Sequence, residues 1–161
     1  MKKIFFFIIP LICFASCEKD YDVTITGVDF HANVVYDDYS VEAEFLDSSL
    51  IFGADFSLDP DHVTSFYKRV DEVTIINPVD EDKFVLTSSL DLFLSGDTIK
   101  KGENLANFFE YKMLKNDFRL SYNFRSTESF LNETDYYKFY FTAVLSDDTE
   151  FLDSCLVKVN F

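Results

Sequence analysis

Apolar and polar side chains alternate with a period of two over much of the chain, which predicts strands buried on one face. Leu50, Phe52, Ala54, Phe56 and Leu58 form one such row, and Phe118, Leu120, Tyr122 and Phe124 form another against Asp117, Arg119, Ser121 and Asn123. Val41, Ala43 and Phe45 repeat the pattern, as do Leu90, Leu92 and Leu94, with shorter runs at Val73 to Ile76 and Phe84 to Leu86. Val23 and Ile25 occupy one parity and Val28 and Phe30 the other, so a β-bulge is expected at Gly27 between them.

The C-terminal rows permit a register argument. Tyr137, Phe139, Phe141, Ala143 and Leu145 form one apolar face, and Phe151, Cys155, Val157, Val159 and Phe161 form the next. A four-residue loop would turn one of the two faces outward, because a slip of one residue exchanges the faces of a strand. Five loop residues, Ser146 to Glu150, or an equivalent bulge, would pair Leu145 with Phe151 and Phe141 with Cys155 and keep both faces inside.

Helical spacing is confined to two places. Asp59-Pro60 reads as an N-cap and first-turn proline before Val63, Phe66, Tyr67 and Val70. Leu105, Phe108, Phe109 and Met113 suggest a second helical piece, after a Ser95-Gly96-Asp97 turn and Gly102. Seven or eight short strands with one or two short helical turns predict an all-β fold. The expected architecture is an antiparallel β-sandwich, immunoglobulin-like in general outline, with residues 23–161 as a single domain. With four Gly and three Pro in the whole chain, its turns must rely on Asp, Asn and Ser.

Composition narrows the picture further. At 161 residues, 48% hydrophobic and 27% charged, the chain is neither disordered, collagen-like nor a disulfide-rich miniprotein. Twenty Phe without one Trp point to an aromatic core, since Phe fills space and needs no polar partner. The formal net charge of -15 argues against a nucleic-acid partner bound through a basic face.

The first residues form an address. Lys2 and Lys3 precede an apolar stretch from Ile4 to Ile12, broken only by Pro10, which has the layout of a secretory signal. It is well short of the roughly 20 residues that a helix needs to cross a bilayer. Signal peptidases accept small side chains before the cut, and Cys17 follows Ala15 and Ser16, whereas Cys13 follows the bulky Leu11 and Ile12. Phe14-Ala15-Ser16-Cys17 resembles a bacterial lipobox, with Phe14 where Leu is usual. The resemblance implies a signal peptide over 1–16, lipid attachment at Cys17, and a lipidated charged tether over 17–22. With Cys17 acylated, Cys155 has no partner for an intramolecular disulfide. Glu18-Lys19-Asp20-Tyr21-Asp22 resembles the export signal of Bacteroidota surface lipoproteins, which implies outer-membrane localisation with outward display.

Catalytic constellations are sparse. The histidines are His31 and His62, and the strand pattern points the Cys155 thiol inward with Val157 and Val159. No phosphate loop, dinucleotide fingerprint, nucleophile elbow or zinc motif occurs. Asp59, Asp61 and His62 are the densest set of potential metal ligands and Asp80-Glu81-Asp82 the next, but neither has the glycine of a calcium loop. Helix capping accounts for the first cluster and solvated turns for the second and for Asp147-Asp148. No catalytic residue, cofactor or metal ligand is therefore expected, and the chain reads as a non-enzyme. Tyr136 and Tyr140 alternate with Phe139 and Phe141 and are expected to stand outward as an aromatic pair, serving as edge cover within a larger sheet or, alternatively, stacking on a sugar or a protein.

The whole chain resembles the small envelope lipoproteins of unknown function common in Bacteroidota. The residues that carry this are the lipobox at Cys17, the Lys19-Asp20 tether, and the passage from Val73-Thr74-Ile75-Ile76 to Gly102-Glu103-Asn104-Leu105. The resemblance implies a domain held on the membrane by its N-terminal lipid, acting as a non-catalytic binding or structural module toward a protein or glycan ligand. The alternatives are a carbohydrate-binding accessory protein of a glycan-uptake system and, more distantly, an envelope hydrolase using acidic residues.

Overall fold

The alternating rows become the inner faces of two packed sheets. The computed structural model describes residues 21–32, 44–45, 50–60, 73–94, 96–116, 119–128, 130 and 135–159. Its strands are β1 (Tyr21–Ala32), β2 (Glu44–Phe45), β3 (Ile51–Pro60), β4 (Val73–Ile75), β5 (Val85–Ser88), β6 (Leu92–Leu94), β7 (Asp97–Ile99), β8 (Phe109–Asn116), β9 (Arg119–Ser126), β10 (Asp135–Val144) and β11 (Glu150–Val159). One sheet has the order β4-β1-β3-β9-β8 and the other β2-β11-β10-β5, with β6 and β7 as a separate two-stranded ribbon. Pairing is antiparallel except where β4 joins β1 and β2 joins β11. The fold is an all-β sandwich with short helical turns.

Between the sheets lies the aromatic core. Phe30 of β1 stacks on Phe52 of β3 and on Phe141 of β10, with centroids 5.2 and 5.1 Å apart. Phe52 also meets Phe139 across the sheets at 4.7 Å. Phe52, Phe130, Phe139 and Phe141 are fully buried. Burying each such ring stabilises the fold by about 1.5–3 kcal/mol.

The bulge lies where the parity switch places it. Ile25 pairs with Leu58 and Gly27 with Ser57, so Thr26 is the extra residue. Val23, Ile25, Phe30 and Ala32 are thereby all buried despite their change of parity.

In the C-terminal hairpin the matching of apolar faces holds, but the register differs from expectation by two residues. Phe139 pairs with Cys155 and Ala143 with Phe151, in place of Phe141 with Cys155 and Leu145 with Phe151. The turn is tighter than periodicity alone requires. The Asp148 N–H donates to the Leu145 carbonyl at 3.0 Å, and the Leu145 N–H donates to Thr149 O at 2.8 Å. Asp148 makes this possible by adopting a left-handed backbone, φ 64°, which Asp tolerates better than most residues. The Asp147 carboxylate accepts the Thr149 N–H at 3.0 Å and fixes the corner.

The helix start expected at Asp59-Pro60 and the second helical piece are corrected. Asp59 and Pro60 belong to β3, opposite Thr24 and Val23, and not to a helix start. Val63, Phe66, Tyr67 and Val70 lie outside the described residues, as do Val41, Ala43, Phe118 and Phe161. Of the second helix only a 3-10 turn over Ala106–Phe108 forms. Phe109, Tyr111 and Met113 continue it as alternate residues of β8, because their period-two row against Glu110 and Lys112 packs on β9.

Sheet edges are closed by specific devices. Past Val23, β4 no longer covers β1, and Asn77 takes its place. Its Oδ1 accepts the Ile25 N–H at 2.7 Å and its Nδ2 donates to the Ile25 carbonyl at 3.2 Å. Further along, the Asp153 carboxylate of β11 accepts the Phe30 N–H at 2.8 Å. The outer edge of β5 is covered by Gly102 to Leu105. Gly102 N–H donates to Ser88 O at 3.0 Å, Leu105 N–H to Leu86 O at 2.7 Å, and Leu86 N–H to Asn104 Oδ1 at 3.2 Å. Gly102 enters that segment at φ +80°, a region that side chains rarely adopt. The Gly102-Glu103-Asn104-Leu105 passage is thus an edge cover.

Candidate functional site

The residues singled out from the sequence scatter. Cys17, Asp61 and His62 lie outside the described residues. Asp59 sits in β3, and Asp80-Glu81-Asp82 leads into a 3-10 turn over Glu81–Lys83. Asp80 pairs with Lys83 at 3.1 Å, and Lys83 also reaches Asp148 at 3.5 Å. Among the described residues no group of three His, Cys, Asp or Glu side chains is placed to hold a metal ion. His31 is half-buried on the outer face of its sheet.

Cys155 packs at the margin of the core, opposite Phe139. Burial first, and then the neighbouring Asp153 carboxylate, push its thiol up to about 12. Such a thiol is protonated at neutral pH and a poor nucleophile. In native protein at pH 8, alkylation at Cys155 is expected to be at least about tenfold slower than in urea, as read by peptide mass spectrometry; equal rates would contradict the packing.

One cleft stands out, between β8, the edge of one sheet, and β5 with its flanking turns on the other. It has a volume of about 230 Å³ and is lined by Phe84, Tyr111, Phe124 and Phe141, with Glu81, Asp82, Asn104 and Asn107 among its polar groups. The local sequence explains its shape. The 81–83 turn and the 106–108 turn bring polar side chains to the rim, while Phe84, just before β5, and inward residues of β8, β9 and β10 supply the rings. Phe84 meets Tyr111, Tyr122 and Phe124 edge-on at 5.5, 5.2 and 5.4 Å.

Glu81 is held at the rim by Tyr122, whose hydroxyl donates to its carboxylate at 2.8 Å. Burial, and then that carboxylate, hold the Tyr122 phenol far above its usual range. Desolvation, followed by the charges of Glu81 and Asp82, raises the Tyr111 phenol as well. Asn104 is committed to the backbone, accepting from Leu86 and Ala106 and donating to Phe84. The remaining polar groups are Glu81, Asp82 and Asn107, and among the described residues the lining contains no Lys, Arg or His. Such a cleft can accept hydrogen bonds from hydroxyls or amines over an aromatic base. Among the described residues its titratable groups are the Glu81 and Asp82 carboxylates and the Tyr111 phenol.

No protein-family model matches the chain, and no curated protein matches it. No helix among the described residues is long and apolar enough to cross a membrane.

A second surface lies on the outer face of the sheet containing β10. Tyr136 is exposed and Tyr140 half-buried there, so the expected outward pair is present, and the Lys138 ammonium lies 5.2 Å from the centre of the Tyr140 ring. Leu152 and Leu156 of β11 are 69% and 59% exposed on the same face. The opposite sheet presents a polar exterior that includes Asp55, Arg119, Asn123 and Arg125. Sequence reasoning found the tyrosines but missed Tyr111 and Asn107, because the helical spacing of Leu105, Phe108 and Phe109 concealed the alternation that begins at Phe109.

Proposed function

We propose that the protein is an outer-membrane lipoprotein, anchored through Cys17, whose sandwich domain is a non-catalytic binding module for an envelope protein or extracellular ligand. The lipobox supports the anchor. Acyl chains contribute about 0.8 kcal/mol per buried CH₂, so two or three chains hold a protein on a membrane without help from its surface. The observation that carries the binding reading is the aromatic cleft, with carboxylates and an amide at its rim and, among the described residues, no basic group in its lining. Such a site selects ligands that donate hydrogen bonds and offer an apolar face.

A carbohydrate ligand is the second reading. It is favoured by the same combination of rings below and acceptors above, and by the outward Tyr136 and Tyr140. The test uses the full chain in its own envelope. Cys17→Ser is expected to move the protein from the membrane fraction to the soluble one; full retention would remove the anchor. Asn107→Arg, which puts a cation at the cleft mouth, is expected to abolish photocrosslinking to the partner that wild type captures, or glycan-array binding under the second reading. Turnover of a polysaccharide by the purified chain would overturn the non-catalytic assignment.

A further inference from the structure

β8 is a long sheet edge with no strand or loop paired along it among the described residues. β5 has Gly102 to Leu105 along its side, and β1 has Asn77 and Asp153, but β8 pairs with β9 alone. In an antiparallel pair every second residue directs its N–H and C=O away from its partner strand. Among the described residues β8 therefore presents a row of backbone groups with no facing strand, the template on which an added strand assembles.

The sequence of this edge is self-complementary. We propose that β8 pairs antiparallel with β8 of a second copy, with Tyr111 on the two-fold axis, joining two five-stranded sheets into one. In that register Glu110 lies opposite Lys112 of the second copy and Lys112 opposite its Glu110, so two unlike-charge pairs form on the outer face. On the inner face Phe109 lies opposite Met113, and Tyr111 opposite Tyr111. Shifting the axis one residue back sets Glu110 against Glu110, and one residue forward sets Lys112 against Lys112; only the Tyr111 register matches both faces over this stretch.

Exposure of the side chains fits this occupant. Tyr111 and Met113 are 43% and 42% exposed although they belong to the inward row of their strand, because nothing described lies beyond the edge to cover them. Glu110 and Lys112 are both exposed, and Glu110 already lies opposite Arg125 of β9. A second β8 would extend that row to Arg125, Glu110 and the facing Lys112, alternating in sign across three strands. Cross-strand pairs of opposite charge and of aromatic or apolar residues are the units of sheet stabilisation. An interface of this kind is isologous and closes at two copies. Tyr111 also lines the cleft, so the dimer would set two clefts on either side of the axis, although the pairing does not depend on their having a ligand.

The test is disulfide trapping in the full chain, purified in detergent. Cα atoms of directly opposed strand residues lie about 4.5–5.5 Å apart, within the range that a disulfide spans. Tyr111→Cys should give a covalent dimer in which the peptide containing position 111 is linked to itself, identified by mass spectrometry apart from links through Cys13, Cys17 or Cys155. Adding Lys112→Glu sets like charges opposite each other and is expected to lower the yield roughly tenfold or more. Adding both Glu110→Lys and Lys112→Glu exchanges the charges within each pair and should restore it. Thermal melts matching the parent chain would show that each variant is folded. Absence of the self-linked peptide, preferential trapping through Leu156→Cys on the other sheet, or failure of the double exchange to restore the yield would each overturn the pairing.

Discussion

Replacing Phe52 with Ala is expected to destabilise the fold by about 3–5 kcal/mol, a large part of the stability of a domain this size. Phe52 is fully buried, and its ring meets Phe30 at 5.2 Å, Phe139 at 4.7 Å and Phe109 at 5.8 Å. It therefore touches β1 and β8 within its own sheet and β10 in the other. Truncation removes the transfer energy of the ring and leaves a void among other rings that cannot collapse freely. Urea unfolding with an unchanged slope and a lowered midpoint would show this. As a contrast, Leu152→Ala on the outer face should change stability by no more than about 0.5 kcal/mol. Equal effects at the two positions would mean that the two sheets do not pack through Phe52.

Removal of the Asn77 side chain should cost about 2–4 kcal/mol although no ring or salt bridge is lost. Asn77 is 5% exposed and its carboxamide bonds both backbone groups of buried Ile25, at 2.7 and 3.2 Å, in the place a neighbouring strand would occupy. In Asn77→Ala the N–H and C=O of Ile25 lose their partners, and each unsatisfied group carries a desolvation cost of about 1–3 kcal/mol. Asn77→Asp retains an acceptor for the N–H but sets a buried carboxylate oxygen against the Ile25 carbonyl, so at neutral pH it should be no more stable than Ala. Amide exchange at Ile25 is the direct readout. Protection there should drop in Asn77→Ala before it changes at Phe139 or Phe141, whose burial does not depend on this edge. An Asn77→Ala protein with wild-type stability would show that water reaches the edge of β1 in the native state.

Much of the sandwich was legible because a half-buried strand declares itself through alternation. The rows at Leu50 to Leu58 and Tyr137 to Leu145 are inward faces as read, and the reversal of parity around Gly27 marks a real bulge. What alternation fixes is which face of each strand is buried; it leaves open a slip of two residues, which preserves every face. The choice between the Phe141–Cys155 and Phe139–Cys155 registers was made by the left-handed backbone of Asp148, a property of the turn and not of the strands. Asp59-Pro60 misled for a related reason. A proline after an aspartate suits a helix start, but it equally suits the end of a strand whose tip needs no further hydrogen bond.

The cleft was less legible than the core. Its rings come from Phe84 and from β8, β9 and β10, and its polar groups from the 81–83 turn and the segment 104–107; no local spacing in the chain relates Glu81 to Tyr122 or Asn107 to Phe141. Strand order created the site. β5 and β8 end their respective sheets, so the two margins meet over a strip that neither sheet fills. The row Phe109, Tyr111 and Met113 was the available signal, had the preceding helical spacing been stopped at Phe108.

The path of the chain into β1 sets how a tethered copy would stand. The start of β1 is bonded to Ile76 and Asn77, and the residues that follow, Pro78 to Asp80, are bonded to Ser146 and Val144 at the β10–β11 turn. Entry point and turn therefore share one pole of the sandwich, together with Asp80, Glu81, Asp82, Asp147 and Asp148, against which Lys83 is the neighbouring cation. A lipid at Cys17 would draw this carboxylate-rich pole toward the bilayer, and anionic headgroups would repel it over a screening length of about 8 Å at physiological salt. The domain would then ride end-on above the headgroups like a moored float, with its long flanks, including the free edge of β8, turned sideways toward neighbours in the same leaflet.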